Sequence, residues 1–145
     1  MKYRLHFILF FCISFSYQVT DISAQGNVEI KSDLILQTTT SWDGSPIAWP
    51  EGEALITVLH IEIPSGAETG WHYHPVPSFA YVLEGTLELK LEDGSTLIVN
   101  EGEALAEVTN TIHSGKSIGE NSLRLVVFYT GITEKELTIL KNDRQ

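Results

Sequence analysis

From Thr86 to Glu92 the chain reads Thr-Leu-Glu-Leu-Lys-Leu-Glu, with Leu87, Leu89 and Leu91 alternating against Glu88, Lys90 and Glu92. A period of two puts the leucines on one face of a strand and the charges on the other, which predicts one buried and one wet face. Asp93-Gly94 follows and Leu97 to Val99 resumes the apolar text, so the pair predicts a hairpin closed by a two-residue type I′ turn. Similar β-rich runs, punctuated by Gly, Pro, Asn and Asp roughly every eight to twelve residues, continue from about Asn27 onward and predict an all-β sandwich or barrel. The strands expected are 33–40, 54–63, 78–84, 86–92, 96–100, 104–108 and 122–130. Residues 123–129 are apolar nearly throughout, which predicts a central strand covered on both faces.

Parity assigns faces elsewhere. Ser78 shares its side with Ala80 and Val82 and is expected to face inward, leaving Phe79, Tyr81 and Leu83 outward for packing or for pairing two copies of the chain. Residues 41–52 read as a loop from two prolines and two glycines, yet carry Trp42 and Trp49, which are expected to fold back either as a rim packed on the barrel end or as a lid over a pocket. Thr133 with Glu136 three residues later is a capping-box signal for a short helix through Leu140.

Composition adds bounds. At 145 residues, 43% hydrophobic and 19% charged, the chain is an ordinary globular one with room for a single core. Nine basic against 19 acidic residues give a net charge of −10, which argues against a nucleic-acid partner, because phosphate neutralisation needs clustered basic side chains. One cysteine excludes a disulfide framework and Cys-rich zinc ribbons.

The first residues change these figures. Lys2 and Arg4, an apolar run over 7–15 and a small-residue site at Ser23-Ala24 predict a secretory signal peptide over 1–24. Polarity returns by Ser16, before the roughly 20 apolar residues a retained membrane span needs. Cleavage takes Cys12 and 24 of the 145 residues, leaving a domain over 25–145 with net charge −11, no thiol and four histidines: His60, His72, His74 and His113. The expected location is secreted or periplasmic, without a stable membrane span.

His72 and His74 lie two apart, so on a strand both imidazoles face the same way and can reach one ion. Around them stand Pro64-Ser65-Gly66, Gly70-Trp71-His72-Tyr73-His74-Pro75 and Tyr81-Val82-Leu83-Glu84-Gly85, with Gly102 and His113 downstream. With this spacing, over about Glu62 to Tyr129, the chain resembles the cupin superfamily. The resemblance implies a double-sheet jelly roll with a divalent metal held inside one end by motif histidines. It also shows departures: the family's glutamate ligand falls on Ser78, the second motif's proline and glycine on Val108 and Asn110, and its asparagine on Ser117.

The ligand set implied is therefore His72, His74 and His113 alone, as in cupin thiol and β-diketone-cleaving dioxygenases that bind iron with three histidines. Three neutral imidazoles suit Fe, Zn, Mn, Ni or Cu and leave coordination positions open. Glu107, in the otherwise apolar run 104–108, is the candidate catalytic group: if inward, a replacement ligand, a general base or a partner of an imidazole N–H. His60, between Leu59 and Ile61, reads as structural. The expected function is a small-molecule reaction, dioxygenase-type oxidation of an enolisable or phenolic substrate. The alternatives are a non-catalytic small-ligand-binding protein and a zinc-dependent hydrolase or isomerase. A homodimer is the assembly the resemblance suggests.

Overall fold

A computed structural model describes residues 29–143, so the expected signal peptide at 1–24 lies outside the described residues. The elements below belong to the unit Asp33–Gln145. In chain order they are β1 (Ala54–Ile63), β2 (His72–Tyr73), β3 (Ser78–Glu84), β4 (Thr86–Leu91), β5 (Thr96–Asn100), β6 (Ala104–Ala106), β7 (His113–Ile118), β8 (Leu123–Ile132), β9 (Ile139–Leu140) and a 3₁₀ turn at Lys141–Asp143.

They form two antiparallel sheets, β1-β8-β3-β6 and β5-β4-β7-β2-β9, the two layers of a jelly-roll barrel. Strand alternation sets the core. Leu123, Leu125, Val127 and Tyr129 of β8 are buried together with Ala80 and Val82 of β3 and Leu87, Leu89 and Val99 of the facing sheet. Burying a leucine or valine fully contributes roughly 1.5–3 kcal/mol, so these rows hold the sheets face to face. Ser78 faces inward with Ala80 and Val82, while Phe79 and Tyr81 are half-buried and Leu83 is exposed on the outer side. Gly85, which closes the Tyr-Val-Leu-Glu-Gly run, has φ 83°, and a Cβ there would sit 2.9 Å from the Ser122 carbonyl oxygen. Both the left-handed backbone and the close approach require glycine.

Several expectations are corrected. Residues 33–40 form no strand: Leu34 and Ile35 are exposed, and Thr38 Oγ1 bonds locally to Thr40, accepting from its N–H at 3.1 Å and donating to its carbonyl at 2.9 Å. Three consecutive apolar residues followed by threonines give no single face to bury, and local side-chain bonds replace a ladder. The 86–100 hairpin exists, but its loop is not a type I′ pair. Leu91 N–H donates to Ser95 O (2.9 Å) and Gly94 N–H to Leu91 O (3.1 Å), and Gly94 alone has positive φ, so the connection is a three-residue turn ending in a left-handed glycine. Asp93 Oδ1 accepts from Ser95 N–H at 2.8 Å and braces it. The 104–108 strand ends at Ala106 and the 122–130 strand runs on to Ile132.

No helix forms over 133–140. The segment crosses to the second sheet, where Ile139 and Leu140 pair with β2, because a strand edge was open to its backbone. Three strands, β2, β7 and β9, were not anticipated, and the first two carry histidines.

Candidate metal centre

Backbone pairing brings the histidines together. His72 on β2 and His113 on β7 are direct cross-strand partners, and His74 lies two residues beyond His72 on the same face. His74 is placed by the loop after β6: its carbonyl accepts from Asn110 N–H at 2.8 Å, in parallel bridging with Thr109. Asn110 has φ 58°, the one non-glycine in the left-handed region among the described residues. Asparagine tolerates that conformation where most side chains do not, so the departure from the family's glycine is chemically mild.

All three rings are buried, with centroids 4.4 to 4.9 Å apart and ligand-capable nitrogens within 4.8 Å of one another. Each directs Nδ1 at a backbone carbonyl: His72 to Gly70 at 2.8 Å, His74 to Leu137 at 2.8 Å, and His113 to Thr111 at 2.9 Å. A carbonyl can only accept, so Nδ1 carries the proton and Nε2 is left with a bare lone pair. Three lone pairs gathered in a buried space, with tautomers fixed from behind, fit a divalent cation.

Electrostatics agree with that reading. Burial, then the neighbouring His113 and His72, pushes His74 down to about 3, against the opposing effect of its hydrogen bond to the Leu137 carbonyl. Burial likewise lowers His72. Neutral imidazoles are the ligand form.

The histidines open onto a cavity of about 200 Å³ with an aliphatic wall that includes Leu87, Leu89, Leu125 and Val127. Glu107 lines it but lies outside the three-histidine cluster. Its Oε1 accepts from Trp42 Nε1 at 2.9 Å and from Val108 N–H at 3.0 Å. Because the imidazole N–H groups are already held by carbonyls, Glu107 is not their partner. Ser78, at the position of the family's glutamate, lines the same cavity. His60 is exposed on β1, opposite Val126, far from the role of a satisfied core histidine and outside the cluster.

Of the two tryptophans in the loop only Trp42 is packed as a rim on the core, whereas Trp49 stays 66% exposed. Trp42 packs on the core and holds Glu107, Trp49 leans on Phe79 with centroids 6.1 Å apart, and neither lines the cavity. The segment that does line it is the C-terminal one, through Thr138 and Leu140. Leu137 O and Thr138 Oγ1, the latter 3.2 Å from His74 Nδ1, had no signal in the sequence, since a carbonyl belongs to every residue type.

Residues 59–129 match the family model described as the cupin domain. Solved structures with the same fold include an oxalate decarboxylase of Lactobacillus farciminis in complex with formate (18% identity, 60% of this chain and 27% of that one, TM-score 0.53). They also include a structure from a study of DMSP lyases (17%, 59% and 44%, 0.52) and a protein of Bacillus halodurans (22%, 59% and 70%, 0.50). The chain spans less than half the length of the first two. No curated protein matches it in sequence. Taken with the two-sheet barrel and the histidine cluster, the match places this chain in the cupin superfamily, as a cupin-fold protein with a site fit for a divalent metal.

Proposed function

We propose that His72, His74 and His113 hold one transition-metal ion and that the protein uses it for dioxygenase-type oxidation of a small enolisable or phenolic molecule. The observation that carries this is the convergence of three Nε2 lone pairs, each fixed by an Nδ1–H to a carbonyl. When bound, an ion of iron, copper, nickel or manganese supplies a Lewis acid with open positions and a redox centre. Both atoms of O₂ enter the product, so the reaction needs no external reductant.

The chain's own residues do the rest. Glu107, held on Oε1 by Trp42, is the base that takes the hydroxyl proton of the substrate. The aliphatic walls around Leu125 and Val127 exclude water and seat the hydrocarbon part. The positive start, apolar run and Ser23-Ala24 support export of the domain. The outward Phe79, Val58 and Phe128, the last two about half exposed, support pairing of two chains through the first sheet, to be checked by sedimentation.

The test is oxygen uptake by metal-replete protein across diketones, flavonols, catechols and thiols. Uptake with at least one enolisable or phenolic compound, lost in Glu107→Gln, is the expected result. Stoichiometric redox metal with no uptake across the panel overturns it. One observation favours a second reading, capture of a ligand without turnover: Ile61, Ala80, Leu87, Leu89, Leu125 and Val127 give the cavity an aliphatic wall with no chemistry of its own. Binding without uptake is its signature.

A further inference from the structure

The inward faces of the first sheet are not uniform. Thr57 pairs with Tyr129, Tyr129 with Ser78, and Glu107 N–H donates to Ser78 O at 2.9 Å, so these four residues form one rung across the sheet. The next inward rung is Leu59, Val127, Ala80 and Leu105, and the one after that Ile61, Leu125 and Val82. Polarity on this wall is thus confined to a single rung. Ser78, Glu107 and Tyr129 from it line the cavity that the three imidazoles also line.

Within the rung, Ser78 is 1% exposed and its hydroxyl has no hydrogen-bond partner. A buried hydroxyl is normally paired, so an unpaired one on a cavity wall is a group waiting for a ligand atom. Glu107, also buried, has both of its side-chain hydrogen bonds on Oε1, which leaves Oε2 for the cavity. Tyr129 is already engaged by the Thr138 side chain. Among the described residues no lysine or arginine lines this space.

We infer that this rung is a head-group subsite, with Ser78 and Glu107 as specificity-determining residues, which selects a small, largely hydrocarbon ligand whose second oxygen carries a hydrogen and rejects dicarboxylate dianions. The inference rests on the metal reading above, which places the ligand's first oxygen at the histidines. A hydroxyl as second oxygen donates to Glu107 Oε2 and accepts from Ser78 Oγ, satisfying both groups at once. A second carboxylate instead meets the Glu107 carboxylate with no cation to offset it. The rest of the ligand faces Ile61, Ala80, Leu87, Leu89, Leu125 and Val127, and about 200 Å³ accommodates one ring or a short chain, since an apolar cavity of about 150 Å³ takes up benzene.

The test is calorimetric titration of the zinc-loaded protein, in which turnover is silent, with catechol and with oxalate, zinc content being measured on the same samples. Catechol is expected to bind at least about tenfold more tightly than oxalate. Ser78→Ala is expected to weaken catechol by about five- to tenfold with zinc content unchanged, and Glu107→Gln to narrow the preference over oxalate. Oxalate binding as tightly as catechol, or Ser78→Ala leaving catechol affinity unchanged in fully loaded protein, overturns the subsite while leaving the metal assignment standing. Wild-type protein that takes up no zinc overturns the metal assignment and the subsite with it.

Discussion

Strands β4 and β7 lie side by side, paired over six residues, and could hardly read more differently. Leu87, Leu89 and Leu91 of β4 stand opposite Ser117, Gly115 and His113 of β7. The alternation that makes β4 plain is the packing of leucine into the core, with Leu87 and Leu89 each 3% exposed. On β7 the same inward positions hold small or polar groups. A Cβ on Gly115 would lie 3.3 Å from Leu87 Cδ1 and 3.6 Å from Leu89 Cδ2. The leucines of one strand thus lean across the emptied positions of the next, and the remaining space becomes the cavity under the histidines. One strand supplies stability and its neighbour supplies chemistry, and the second depends on the first for its ladder.

The largest effect expected from this division is Leu89→Ala, which removes a core leucine and costs about 2–5 kcal/mol in denaturant unfolding. Metal content of the folded fraction should be unchanged, and a loss of metal with little loss of stability would erase the distinction between the strands.

Acid comes next. Burial holds His72 low and His74 at about 3, both below the ordinary 6.5 that they regain on unfolding. The unfolded chain therefore takes up protons first as pH falls. Stability of chelator-treated protein should be full above about pH 6.5 and decline, by on the order of a few kcal/mol, as pH drops toward about 3. The check is a series of denaturant midpoints against pH; a profile flat from pH 7 to 4 would contradict the burial of these rings.

Gly115→Val is a sharper probe, because it fills the gap from the β7 side. Overpacking against Leu87 should cost about 1–3 kcal/mol while reducing small-ligand binding more than metal binding. Equal affinity for an aromatic ligand in the variant would show that the cavity does not depend on this position. The smallest effect is Asn110→Gly, which relieves the left-handed backbone at φ 58° and should shift stability by less than about 1 kcal/mol with the histidine geometry kept.

The same contrast explains what the sequence revealed. Among segments with mainly apolar inward positions, β4 announces itself by period, while β8, expected to be covered on both faces from its apolar run, is central in its sheet but leaves Arg124 and Phe128 exposed on the outer face. The site-bearing strands show no such period, since His113, Gly115 and Ser117 give no apolar rhythm, and β2 is only two residues long. The histidines alone among them were found, through ligand spacing, which is a chemical signal rather than a packing one. Residues 33–40 show the converse, β-prone residues that form no strand and leave Leu34 and Ile35 exposed. The groups that orient the imidazoles, the carbonyls of Gly70, Thr111 and Leu137, are backbone atoms and leave no trace in residue identity. The inward turn of Glu107 was open to the sequence only as one of two faces, and its fixing by Trp42 comes from a loop 65 residues away.

The central claim is that these three histidines constitute a metal centre. Elemental analysis of wild-type protein alongside His72→Ala, His74→Ala, His113→Ala and His60→Ala variants tests it most directly. The account predicts one transition-metal ion per chain in the wild type and in His60→Ala, and loss of tightly bound metal in each of the other three. Wild-type metal content retained in His72→Ala, His74→Ala and His113→Ala would contradict it.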